Sequence, residues 1–172
     1  MRTLSGHGGL LLYLDFDGVL HHEDVWWHPR IGAYLRAPDE FKLFQHLGLL
    51  EQLLAPYPEL RIILSTSWVR RYGCTGTAKN LGPRLRQRVI GATFHSRMNE
   101  AVFAEIPRGQ QVWADVQRRR PRDWIALDDC PDGWPAESEG KFIKTHQHHG
   151  ISEPAALAEF RQKLSEMCGG KK

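Results

Sequence analysis

Five consecutive apolar residues, Leu10-Leu11-Leu12-Tyr13-Leu14, run straight into Asp15-Phe16-Asp17-Gly18. This junction constrains the fold more than any other part of the chain. A strand with one wet face alternates apolar and polar residues. An unbroken run suits a strand covered on both faces, as in a parallel sheet flanked by helices. The expected strand spans 10–16. A second apolar run, Leu60–Leu64, ends in Ser65-Thr66-Ser67, and a third, Trp124–Leu127, ends in Asp128-Asp129. Val89–Phe94 and Phe142–Ile143 read as further short strands.

Helical patterns separate these runs. Phe41, Phe44, Leu47, Leu50 and Leu54 keep a helical period between Asp39, a capping residue, and the stop at Pro56 and Pro58. Gln110–Arg119 places Val112, Trp113 and Val116 on one face. Ser152 caps a final helix to about Met167, with Pro154 in its first turn. Gly73–Thr77 and Pro131–Gly140 read as loops by composition. Strands alternating with helices predict an α/β fold, a three-layer Rossmann-like parallel sheet with helices on both faces. One domain over 10–168 is expected, with a flexible segment at 1–9 and a flexible tail at 169–172. The 172 residues suit one domain, and 41% hydrophobic with 25% charged residues exclude a disordered or collagen-like chain.

The 23 Lys and Arg against 20 Asp and Glu give a net charge of +3, too balanced to argue for nucleic-acid binding alone. Three cysteines at no metal-like spacing argue against a disulfide scaffold. The apolar run at 10–14 is too short for a signal segment or a membrane span, so a soluble, cytoplasmic protein with no membrane partner is expected.

The chemistry gathers at the carboxyl ends of the expected strands, where open α/β sheets bind ligands. An Asp after a strand is commonly a turn or cap residue. Here the acids come as Asp-x-Asp-Gly and Asp-Asp, with hydroxyls on a third strand end, and that combination outweighs the bland reading. Clustered carboxylates repel unless a cation neutralises them, and hard oxygen ligands suit Mg²⁺. An EF-hand loop fails, because Gly18 follows Asp17 directly and Val19 comes next. A receiver-domain phosphoacceptor has its acids in a different chain order.

Leu14-Asp15-Phe16-Asp17-Gly18-Val19-Leu20 resembles the first motif of the haloacid dehalogenase-like (HAD) superfamily of phosphohydrolases. Ile62-Ile63-Leu64-Ser65-Thr66-Ser67-Trp68 is similar to its second motif and Ile125-Ala126-Leu127-Asp128-Asp129 to its fourth. Ser65–Trp68, Arg88-Val89-Ile90-Gly91 and Ala126–Asp129 together resemble the HAD domain of Swiss Army Knife RNA-repair proteins. The third-motif lysine is missing, since no lysine lies between Lys79 and Lys141. Arg108, 20 residues before Asp128, is the best substitute.

The resemblance implies a Mg²⁺-dependent phosphatase working through an aspartyl-phosphate. Asp15 is then the nucleophile and Asp17 the general acid and base. Asp15, Asp17 (through its carbonyl), Asp128 and Asp129 hold the metal. Asp17, Gly18, Thr66, Ser67 and Arg108 bind the phosphoryl group, with Ser65 an alternative to Thr66. Arginine binds phosphate in a fork and can stand in for lysine. A non-catalytic phosphate or nucleic-acid binding module and a phosphotransferase are the alternatives.

Only 21 residues, 18 through 38, separate Asp17 from Asp39. That implies a capless or minimally capped site, open to a large phosphorylated substrate such as a nucleic-acid end. Trp26-Trp27-His28 suits base stacking and ordinary loop packing equally. Arg118-Arg119-Arg120 with Arg122 reads as a solvated helix end rather than a phosphate contact. His146, His148 and His149 read as a surface loop, and Cys74 and Cys130 as bystanders.

Overall fold

The structure is a computed structural model, and it describes residues 4–169. Its centre is β1 (Leu10–Leu14), every residue of which is buried. Parallel partners flank it on both sides: β4 (Arg61–Leu64) and β6 (Asp123–Asp128). With β5 (Val89–Ala92) outside β4 and β7 (Phe142–Lys144) outside β6, the sheet has the order β5-β4-β1-β6-β7, all parallel. The central position explains the unbroken apolar run, since both faces of β1 are covered.

Successive β1 residues feed two cores. Leu10, Leu12 and Leu14 meet Leu50 and Leu54 of α1 (Leu47–Leu54), Val69 of α2 (Trp68–Ala78), and Phe160 and Leu164 of α6 (Pro154–Gly169). On the opposite face Leu11 and Tyr13 meet Val112 and Val116 of α5 (Arg108–Arg119). This is the three-layer arrangement expected from the pattern.

One buried polar network lies on the α5 side. The Tyr13 hydroxyl donates to Asp115 at 3.0 Å, and Arg119 Nε donates to the same carboxylate at 2.6 Å. Arg118 also pairs with Asp115. Arg119 is thus buried and not part of a solvated helix end. Its second donor reaches the Ser5 carbonyl at 2.7 Å, and the Gly8 amide donates to the Arg120 carbonyl at 3.0 Å. Residues 4–9, expected to be flexible, are therefore tied to the end of α5; residues 1–3 and 170–172 lie outside the described residues.

The helix expected over 39–55 is shorter. Residues 43–46 form turns, because Phe44 adopts a left-handed φ of 56° and stops any helix there. Its amide donates to His21, and its ring packs 5.3 Å from both Phe16 and Trp68. Phe41 and Phe44 thus keep a helical spacing without a helix. Gly73–Thr77, read as a loop, lies within α2, which kinks at Gly73 (φ 68°). The first strand ends at Leu14 rather than 16, and β5 at Ala92 rather than 94. At the start of α6 it is Glu153, not Ser152, whose side chain accepts from a helix amide, that of Ala156 at 2.9 Å.

Three elements had no clear sequence signal. The helix α3 spans Gly82–Arg86, and α4 spans Glu100–Glu105, capped by the Asn99 side chain. A hairpin of β2 (Val25–His28) and β3 (Gly32–Leu35) fills the short stretch after Asp17. Val25 and Ala33 pack it onto the core.

Candidate active site

The register of the three central strands builds the site. Leu14 lies opposite both Leu64 and Leu127, so β1, β4 and the apolar part of β6 end flush. The next residues on each strand, Asp15, Ser65 and Asp128, therefore stand side by side. Their backbone remains paired: the Ser65 amide donates to Leu14 at 2.9 Å and the Asp15 amide to Leu127 at 3.1 Å.

Side-chain oxygens of Asp15, Asp128 and Asp129 lie within 4.8 Å of one another. Asp15 and Asp128 are almost fully buried, at 4% and 1% exposure. Burial raises the Asp15 carboxyl above its usual range; Arg108 opposes this and Asp17 adds to it. Burial and then Asp15 push Asp128 up as well. Burial, with Asp15 and Glu23, lifts Asp129 to about 7. Buried like charges of this kind are held only at a cost unless a cation sits among them. The Cys130 amide donates to Asp128 Oδ1 at 3.0 Å, whereas Asp128 Oδ2 is buried without a hydrogen bond. That oxygen, with no hydrogen bond, and the carboxylate cluster fit a divalent cation with hard oxygen ligands.

Arg108 is the first residue of α5 and reaches into the cluster. Its Nη2 lies 3.6 Å from Asp15 Oδ2 and its Nε 3.3 Å from Asp128 Oδ2, and Nη1 donates to the Ser65 carbonyl. Burial disfavours its charge, but the Asp15 and Asp128 carboxylates outweigh that and raise its pKa. The start of α5 sits close enough only because residue 109 is glycine. Any Cβ there would strike the backbone of Gly133 and Trp134. The Gly109 amide donates to the Asp132 carbonyl at 2.9 Å, joining α5 to the loop after Asp128.

Asp17 stands apart from the three-carboxylate group. Its Oδ1 accepts from Trp68 Nε1 at 2.8 Å and faces His21 Nε2 at 3.0 Å. The Phe44 amide donates to His21 Nδ1 at 3.1 Å, so in neutral His21 the proton sits on Nε2 and is given to Asp17. Among the described residues nothing bonds Asp17 Oδ2. His21 was not singled out from the sequence, and Trp68 entered only as the last residue of the second-motif stretch, with no role. A buried His four residues after Asp17 carries no signal until the fold brings the two together.

The remaining expected residues divide. Thr66 is buried beside the cluster at the amino end of α2, and Ser67, next along, is exposed. Gly18 has φ 69°, and a Cβ there would fall on the Asp129 carboxylate. Gly18→Ala is therefore expected to displace Asp129 and to cost about 1–2 kcal/mol for the left-handed backbone alone. Urea denaturation of the variant against the parent measures this. Burial raises the Cys74 and Cys130 thiols, which argues against a reactive thiolate at either. His146 folds back on its own turn, its Nδ1 accepting from the His148 and His149 amides.

A family model described as the HAD domain in Swiss Army Knife RNA repair proteins matches residues 11–156, and the chain belongs to that family. Membership agrees with the parallel sheet and with a phosphohydrolase or a related activity. Comparisons with curated proteins and with solved structures returned no match. Among the described residues no helix is long and apolar enough to cross a membrane.

Proposed function

We propose that this protein is a Mg²⁺-dependent phosphohydrolase of phosphate monoesters that forms an aspartyl-phosphate on Asp15, its substrate a nucleic-acid end. The family's association with RNA repair favours RNA. One observation carries the reading: the Arg108 guanidinium reaches both Asp15 and Asp128 where they cluster with Asp129. A nucleophile, a fixed cation and a carboxylate set suited to a metal then occupy one strand-end cluster.

Asp15, Asp128 and Asp129, with the Asp17 carbonyl, would hold Mg²⁺. Bound there, the ion would neutralise the carboxylates and let an anionic nucleophile approach an anionic phosphate. Arg108 supplies the fixed positive charge for the phosphoryl oxygens, and Thr66 and Ser67 supply hydroxyl donors. An Asp15 oxygen attacks phosphorus as the bond to the leaving oxygen breaks. Asp17 holds the proton that the leaving oxygen takes, using Oδ2, the oxygen free of protein bonds. Asp17 then takes a proton from the water that opens the aspartyl-phosphate, releasing inorganic phosphate and restoring Asp15.

Hydrolysis of p-nitrophenyl phosphate tests this reading. Turnover is expected with Mg²⁺ and is expected to vanish when EDTA removes the metal. Absence of activity with every divalent metal would replace the proposal with a phosphate-binding module.

A further inference from the structure

The hairpin and α2 enclose a cleft of ≈ 350 Å³ that continues outward from the candidate active site, with Asp17 in its wall. Trp26, Trp27, Trp68, Arg71 and Tyr72 line it. Trp26 and Trp27 are 48% and 41% exposed, unusual for such large apolar side chains away from any partner. Both carry a cation: Arg71 lies 4.0 Å over the Trp27 ring and Arg36 4.5 Å over Trp26.

This cleft meets a second at Ser67, where Thr66, Ser67, Arg70 and Arg108 stand together. The second meets a third at Arg70, which extends past His95 and Arg118. The first turns of α2 thus form a spine, with Arg71 on the aromatic side and Arg70 on the other. Neither Arg70 nor Arg71 pairs with a carboxylate among the described residues. Their charge is available to a ligand, whereas Asp115 already holds Arg118 and Arg119.

We propose that these three connected clefts bind a single-stranded polynucleotide, with a base stacked among Trp26, Trp27 and Arg71 and the backbone phosphates passing Arg70. The placement rests on the phosphohydrolase reading, which sets the terminal phosphate at Asp15. Every base has a π face, and aromatic rings and guanidinium planes are the surfaces on which unpaired bases stack. A phosphopeptide would call for cations around the phosphate and main-chain pairing, and it leaves the tryptophans without a role. A path of several clefts also exceeds what a single small phosphate ester fills.

Fluorescence anisotropy of the full chain with short, unphosphorylated single-stranded RNA and DNA oligonucleotides tests the proposal. With no terminal phosphate to remove, binding is read independently of the chemistry. Trp27→Ala is expected to weaken binding about tenfold, as the loss of one stacked base does. Trp27→Phe restores most of it. Arg70→Ala lowers the slope of affinity against salt by about one phosphate contact. Arg161→Ala, on the far helix α6, changes nothing. The RNA and DNA arms identify which polynucleotide is preferred, and binding of either supports the groove. Affinity unaltered by Trp27→Ala and Arg70→Ala would overturn it, as would tighter binding of a phosphopeptide. Bound oligonucleotide without phosphatase activity would leave the groove standing and remove the phosphohydrolase reading; activity without oligonucleotide binding would do the reverse.

Discussion

Asp15→Asn is expected to abolish turnover of p-nitrophenyl phosphate, lowering kcat by at least about 10⁴-fold, the scale seen when a covalent nucleophile is removed. Asparagine matches the shape of aspartate, and its side-chain carbonyl can still accept the 2.8 Å bond from the Phe16 amide. What it loses is the anionic oxygen that must bond to phosphorus. The surroundings make that oxygen hard to replace. Asp128, Asp129 and Asp17 are nearby, but Asp128 and Asp129 belong to the carboxylate group that would hold the metal, and Asp17 is turned toward Trp68 and His21. The melting temperature should stay near that of the parent, because volume and the main hydrogen bond are kept. Steady-state kinetics with a parallel thermal melt checks both halves; retained activity would remove Asp15 as nucleophile.

Arg108→Ala is the second large effect, and it has two readouts. Kinetically, a cation that stabilises charge on a transferring phosphoryl group contributes about 10³–10⁵ in rate, so a loss of that order is expected. Arg108→Lys should recover part of it, since the charge remains while the two-carboxylate reach is lost. Thermodynamically, Arg108 is mostly buried and is the ion-pair partner of both Asp15 and Asp128. Removing one member of such a buried group costs about 3–5 kcal/mol. In EDTA the variant should also depend strongly on pH. Burial raises both carboxyls above their ordinary value of 3.8, and the arginine that opposed this is gone. The folded state then holds protons that the unfolded chain releases, so stability falls as pH rises above about 3.8 toward the folded values. Urea melts across pH, with and without Mg²⁺, measure the effect; a cation bound by the carboxylates should restore stability.

Much of this site was readable because its residues are consecutive with strands whose burial is written in composition. Leu10–Leu14 read as a doubly covered strand, and Asp15 and Asp17 follow at once. The same holds for Asp128 at the end of β6 and for the hydroxyls after β4. Arg108 was readable only by elimination, from the missing lysine. The structure seats it through a glycine that lets α5 approach the loop after Asp128. Other features left no trace. Phe44 kept a helical spacing and sits in a turn, because spacing records which side chains are buried, not the backbone that buries them. His21 and Trp68 meet Asp17 from 4 and 51 residues away, and only the latter distance requires the sheet and α2 to be in place. The hairpin at 25–35 was concealed because its tryptophans face solvent instead of following a buried period.

The amino-acid order by itself determined the parallel sheet, the acids at its carboxyl edge and the small space left for a cap. Those are local consequences of burial on two faces and of chain length. Only the tertiary structure decided the register that sets Leu14 level with Leu64 and Leu127. One residue of slip would turn Asp15, Ser65 and Asp128 away from one another, because side chains alternate along a strand. That Arg108 reaches both Asp15 and Asp128, and that the exposed tryptophans share a cleft with Asp17, were likewise decided by packing between distant segments.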